Sequence, residues 1–102
     1  MRKKSKRAKA CDIPAKVRRI VYERDNGLCI LCGRTGVPNA HFISRAAGGL
    51  GIPENIFTAC PECHHAYDNT AARPMLRERI KNYLKNLYDG WSEAAFYYRK
   101  GI

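Results

Sequence analysis

Apolar positions along the chain change period several times, and each change marks an element. Val17, Ile20 and Val21 recur at helical spacing, while Lys16, Arg18 and Arg19 point elsewhere. Asp12 stands where a cap belongs, Pro14 where a first-turn proline belongs, and Asp25-Asn26-Gly27 where a helix ends, with Gly27 suited to a left-handed position. Residues 39–44 alternate as a strand, with His41 and Ile43 on one face and Phe42 on the other. Residues 46–53 are too glycine-rich for the interior of an element and read as a long loop. Ile56 to Ala59 is short and extended. From Pro61 or Glu62 the chain turns helical through His64, His65, Tyr67 and Asp68, stopping at Asn69-Thr70. Arg73-Pro74 opens a further helix whose apolar stripe runs Met75/Leu76, Ile80, Tyr83/Leu84 and Leu87/Tyr88, with Arg77, Arg79, Lys81 and Lys85 opposite or flanking. After Asp89-Gly90, residues 91–98 read as a last short helix with Ser92 as its cap. Its aromatics, Trp91, Phe96, Tyr97 and Tyr98, serve as core at the chain end more readily than as base-stacking platforms.

A chain of 102 residues suits one domain with a modest core, a size that often needs a staple. At 45% hydrophobic residues it is globular. Nineteen Lys and Arg against nine Asp and Glu give a formal charge of +10, which favours nucleic acid first and anionic membrane second. No apolar run approaches the ~20 residues of a membrane span, and the basic N-terminus lacks the apolar stretch of a secretory signal. Residues 1–10 hold six of the nineteen basic residues and almost nothing apolar. They read as a disordered basic arm, extending to residue 11, that either solubilises or contacts phosphates without sequence preference.

The cysteines carry the strongest chemical signal. Cys29-x-x-Cys32 and Cys60-x-x-Cys63 are two knuckles whose sulfurs suit one tetrahedral ion, with Gly33 allowing the backbone to fold tightly around the first. The predicted centre is a structural Zn²⁺, closed to water, replacing core volume that the chain lacks. Cys11 has no partner at ligand spacing and reads as an ordinary thiol. Paired cysteines of this kind fit a reducing compartment better than a disulfide framework. Residues 33–59 separate the knuckles, more than a compact zinc ribbon needs, and this insert carries His41 and Asn55.

A Cys-x-x-Cys pair, a strand carrying His41, a glycine-containing loop with Asn55, and Cys60-Pro-Glu-Cys63-His64 occur here in that order. This pattern resembles the HNH endonucleases, the ββα-metal nucleases, and in particular the small HNH proteins of phages and prophages. The resemblance covers about residues 14–70. It implies a small α+β fold, a zinc-stapled ββα-metal unit with flanking helices. The expected organisation is a disordered arm over 1–11, a nuclease core over 12–71 and a C-terminal helical extension over 72–102 packed on the core. By the resemblance, His41 is the general base, Asn55 fixes the hairpin loop and the base, and His64 lies on the metal side. The implied substrate is DNA, double-stranded and bound mainly through phosphates, cut to 3′-hydroxyl and 5′-phosphate ends. The implied location is the cytoplasm of a bacterial or phage-infected cell.

The residue types suit those roles. Neutral imidazole near pH 7 can take a proton from water, and an Asn amide offers both a donor and an acceptor. His64 and Asp68, four apart on a helix, share a face on which they can chelate one ion. Oxygen ligands favour Mg²⁺ or Mn²⁺, and imidazole also admits Ni²⁺ or Zn²⁺. Arg45, Lys16 and Arg19 are the expected nucleic-acid contacts. One position departs from the family: many members carry Asp or His directly before the base, where this chain has Ala40. That departure keeps a second reading open, a zinc-stapled nucleic-acid-binding module with weak or no catalysis. It also leads to the expectation that Ala40→Asp restores a ligand.

Overall fold

The computed structural model describes residues 5–99. In chain order the elements are α1 (Lys6–Cys11), α2 (Ala15–Arg24), β1 (Val37–His41), β2 (Ile56–Ala59), α3 (Pro61–Asn69) and α4 (Arg73–Leu87). One-turn 3₁₀ segments occupy Arg45–Ala47 and Glu93–Phe96. The result is a small α+β unit built on a two-stranded antiparallel sheet. No described helix is long and apolar enough to cross a membrane.

The hairpin lies between two helical layers. All four residues of β2 are buried, as expected of a strand covered on both faces. Ile56 packs with Val17 and Val21 of α2. Phe57 and Ala59 join the larger core with Tyr67 of α3 and Leu76, Ile80 and Leu84 of α4. The apolar stripes read from the sequence are therefore the packed faces, with three exceptions: Ile20, Met75 and Leu87 are exposed. The C-terminal aromatics close this core. Phe42 and Trp91 meet edge to face with centroids 5.6 Å apart, and Trp91 contacts Phe96 at 5.2 Å. The Trp91 indole donates to the Glu54 carbonyl at 2.8 Å.

Several boundaries differ from the sequence expectation. The strand lies over residues 37–41 rather than 39–44. Its register shifts by one between Val37↔Ala59 and Ala40↔Phe57, at Pro38, which has no N–H for a ladder. Beyond His41 the alternation ends, and Phe42 and Ile43 are both buried. Asp12 does not cap α2. Pro14 occupies the N-cap position without a side-chain bond, and Asp12 instead pairs with Arg45. Residues 91–98 form one 3₁₀ turn rather than a helix, and Ser92 makes no capping bond. The disordered arm expected over 1–11 is corrected in its second half. Lys6–Cys11 is helical, capped by Ser5 Oγ accepting from Ala8 N, because its C-terminal end docks on the 45–51 loop. The remainder of that arm, residues 1–4, lies outside the described residues.

A buried ion pair joins the layers. Asp25, at the end of α2, receives Arg24 Nε at 2.8 Å and NH2 at 3.0 Å, the Thr58 backbone N–H of β2 at 3.0 Å, and the Tyr83 hydroxyl of α4. Arg24 also donates to the carbonyls of Pro53 and Ile56, each at 2.8 Å, and to Tyr88 Oη at 3.0 Å. Burial and the bond to Asp25 push the Tyr83 phenol up to about 12. Satisfied on both sides, the pair is tolerable; broken, it leaves a buried charge. Asp25→Ala is therefore expected to cost about 3–5 kcal/mol in urea or thermal unfolding, against ~0.5 kcal/mol or less for an exposed charge such as Glu78→Ala.

Candidate metal centre and histidine cleft

The first knuckle is shaped by backbone bonds. Gly33 N donates to the Cys29 carbonyl at 2.9 Å and Cys29 N to the Arg34 carbonyl at 2.6 Å, and Gly33 takes φ 81°, where a side chain would be strained. The second knuckle is the start of α3. Cys60 is its N-cap, with Sγ accepting from Cys63 N at 3.4 Å, and Pro61 follows at the first helical position, where its missing N–H costs nothing. The four sulfurs of Cys29, Cys32, Cys60 and Cys63 lie within 4.8 Å of one another, with Cys32 and Cys60 3.6 Å apart. Sulfurs on one tetrahedral Zn²⁺ sit about 3.8 Å apart, given the ~2.3 Å Zn–S bond. All five cysteines are free thiols. The donor set fits a soft metal ion such as zinc.

Arg34 lies against this cluster, with Nε 3.4 Å from Cys32 Sγ and NH2 3.9 Å from Cys60 Sγ. The bond from Arg34 pulls the Cys32 thiol down to about 6. Burial pushes Cys63 the other way, so a bound cation is what would let all four ionise together. Among the described residues these cysteines are the one group of three or more His, Cys, Asp or Glu that could hold a metal.

The histidines lie elsewhere. His41 ends β1, and His64 and Asp68 share one face of α3. Together with Ser44, Arg45, Ala46 and Arg73 they line an open cleft of about 440 Å³. His64 Nε2 and Asp68 Oδ2 are 3.0 Å apart, so the spacing predicted from the helix period is realised, though it assembles two donors only. Arg73 is held over the Tyr67 ring at 4.2 Å, donates to the Tyr67 carbonyl at 3.0 Å and approaches Asp68 Oδ1 at 3.9 Å. His65 is exposed, its Nδ1 3.3 Å from Asn69 Nδ2.

His41 is half-buried, with Nε2 2.9 Å from the Cys11 carbonyl. A carbonyl only accepts, so Nε2 carries the proton and Nδ1 is the nitrogen free to accept one. Burial lowers the His41 pKa below its ordinary 6.5, outweighing the support from the Cys11 carbonyl.

Asn55 is fully buried and ties the loop. Its Oδ1 accepts from Ile43 N at 2.8 Å, and its Nδ2 donates to the carbonyls of Ile43 at 3.2 Å and Leu50 at 2.9 Å. Gly49 passes so close that a Cβ there would stand 1.8 Å from the Ile43 carbonyl oxygen, which explains why this loop needs glycine. The Asn55 side chain thus ties the loop, but it is bonded to Ile43 and Leu50 and reaches His41 only through the chain.

Ala40 is wholly buried in the main core, across from Phe57. A carboxylate there would be desolvated rather than presented to the cleft, so Ala40→Asp is a core disruption and not a restored ligand. Of the three basic residues expected to touch nucleic acid, Arg45 lines the cleft. Lys16 and Arg19 are exposed on α2 and are not among its lining residues; their neighbour Arg18 lines a second cleft with Asp12, Asn39, His41 and Arg45. Sequence reasoning missed Arg73, whose role comes from its stacking on Tyr67, and Arg34. An arginine two residues past a knuckle cysteine was the available signal for the latter.

No family model matches the chain, and no curated protein matches it at a significant level.

Two outcomes follow for these residues. Asn55→Ala removes three side-chain hydrogen bonds, two of them buried, and leaves Ile43 N–H without its partner, so it is expected to cost about 2–4 kcal/mol in chemical unfolding. His41, with its folded pKa below the unfolded value, makes the unfolded chain bind more protons between the two. Its contribution to stability is therefore complete above about pH 6.5 and is lost as pH falls below it. Thermal unfolding from pH 7.5 to 5.5 should show wild type losing more stability than His41→Gln, with any thiol protonation common to both.

Proposed function

We propose that this chain is a metal-dependent HNH endonuclease that hydrolyses DNA phosphodiester bonds, with a structural zinc on Cys29, Cys32, Cys60 and Cys63. The observation that carries the reading is the convergence of His41, from the end of a β-hairpin, with His64 and Asp68, from the helix that follows it, in one open cleft flanked by arginines. An antiparallel hairpin followed directly by α3 is the order that a ββα-metal unit requires, and the loop between the strands is tied by Asn55, the third namesake residue.

In this reading the phosphate enters beside Arg45 and Arg73, which offset its charge, Arg73 being held in place by Tyr67. His41 takes a proton from the attacking water at Nδ1, since Nε2 is committed to the Cys11 carbonyl. Its lowered pKa keeps the ring neutral, and so able to accept, through the neutral range. A divalent ion such as Mg²⁺ or Mn²⁺, on His64, Asp68 and substrate oxygens, would supply Lewis-acid stabilisation of the phosphate charge. His64 and Asp68 are both partly exposed to the cleft and 3.0 Å apart, and Mg²⁺ sites commonly use only one or two protein carboxylates. The net charge of +10 favours a phosphate-dominated, salt-sensitive hold on double-stranded DNA.

One observation favours the second reading, a zinc-stapled nucleic-acid-binding module with little catalysis. Ala40 lies in the core, so the residue before His41 adds no donor and the ion keeps two.

Incubation with supercoiled plasmid across a panel of divalent ions, with and without chelator, separates the two. Under the nuclease reading, His41→Ala keeps DNA affinity and loses cleavage by about 10²–10⁴-fold, whereas Asp68→Ala raises the metal concentration needed. Plasmid that stays supercoiled under every ion, with binding intact, supports the module instead. The zinc is tested separately: elemental analysis should find about one zinc per chain, and Cys60→Ser should lose both the metal and cooperative unfolding.

A further inference from the structure

The N-terminal segment enters the molecule at the one side chain on which the proposed chemistry turns. The Cys11 carbonyl, at the end of α1, is the partner of His41 Nε2. Four further contacts hold that end of α1 against the 45–51 loop. Gly51 N donates to the Ala10 carbonyl at 2.9 Å, Arg7 NH2 to the Ala46 carbonyl at 2.8 Å, Arg45 pairs with Asp12, and Arg45 NH2 lies 3.4 Å from the Ala8 carbonyl. The Cys11 side chain is buried beneath this junction. Gly51 shows how close the approach is: a Cβ there would stand 1.8 Å from the Asp12 carbonyl oxygen. A six-residue helix is too short to persist alone in water, so these contacts, and not propensity, hold α1.

We propose that α1 and Asp12 are the positioning element of the His41 ring: docked, they hold it as the Nε2–H tautomer and leave Nδ1 as the proton acceptor. This rests on the reading of His41 as the base. A ring without that acceptor exchanges between tautomers and turns about its side-chain bonds, and a base displaced by about 1 Å can lose 10²-fold in rate. The basic N-terminal stretch then does more than add charge, since its docked end sets which nitrogen of His41 can act. The Asp12–Arg45 pair has the same consequence from the other side: Arg45 lines the cleft while its charge is anchored to the segment that holds the base.

The test uses the full-length, ¹⁵N-labelled protein and long-range proton–nitrogen correlation spectra, which distinguish an Nε2–H from an Nδ1–H imidazole without requiring activity. In wild type, His41 is expected as the Nε2–H tautomer. Gly51→Ala, whose new methyl group must push Asp12 away, is expected to give mixed tautomers. In plasmid cleavage it should lower kcat by about 10- to 10²-fold. Should Gly51→Ala not fold, Ala10→Pro breaks α1 from within, away from the core, and is expected to have the same effects. An Nδ1–H ring in wild type overturns the proposal, as does a variant of either kind that folds and keeps both the wild-type tautomer and the wild-type kcat. Loss of the Nε2–H tautomer in the variants, alongside a wild type that never cuts DNA, would leave the positioning role standing and remove the nuclease reading.

Discussion

Two paired strands are not stable by themselves in water, and most of this fold is arranged around that constraint. β2 is covered on both faces, by α2 on one and by α3 and α4 on the other. The Asp25 carboxylate joins three of these elements at once, accepting from the backbone of β2 and from Tyr83 of α4 while held by Arg24 at the end of α2. Because the hairpin is so short, its ends are fixed from outside: by the knuckle at Cys60 after β2, and by the Asn55 side chain, which takes over from the ladder beyond His41.

The molecule separates its two clusters of donor atoms. Four sulfurs converge beneath the start of α3, where Cys60 caps the helix. One turn further along the same helix, His64 and Asp68 face an open cleft. A soft ion on the first cluster would set the start of α3 against the first knuckle and so hold the second pair relative to β1. The imidazoles are left outside the sulfur set, where they remain available to solvent and to anything bound in the cleft. Arginine is used on both sides: Arg34 against the sulfurs, and Arg73 in the cleft, stacked on Tyr67. Arg77 lies in the same way over Phe42, 4.6 Å from its ring centroid, while paired with Glu93. Arg73 and Arg77 are charges whose positions are fixed by packing on an aromatic ring.

Much of this was readable from local spacing. Two Cys-x-x-Cys pairs identify a metal-sized cluster because the turn between the cysteines determines where their sulfurs can point. The 3.6-residue period gave the buried faces of α2 and α4 and placed His64 beside Asp68, since i and i+4 are neighbours on any helix. The glycines of the 46–53 loop were legible as punctuation, and Asn55 as a side chain with both a donor and an acceptor. Local spacing also set the limits of that reading: it gave a strand at residues 39–44, because alternation alone does not reveal the bulge at Pro38 or the change of partner at Asn55.

What only the tertiary structure decided are contacts between residues far apart in the chain, where packing chooses among partners that the sequence leaves equivalent. Lys6–Cys11 reads as a charged tail because its own residues are mostly basic or small, yet it is helical because the 45–51 loop offers it the Ala46 carbonyl, the Gly51 amide and Arg45. Asp12, a plausible cap by position, is taken by Arg45 instead. Ala40 reads as a lost ligand beside His41, but its strand turns it into the core, where no ligand would function. Arg24 and Asp25 read as an unremarkable helix end, and become a buried pair only when β2 and α4 close over them. The sequence by itself determined which atoms were available as metal and proton ligands and on which elements they ride. Burial, which requires the whole chain, decided which of those atoms face one another.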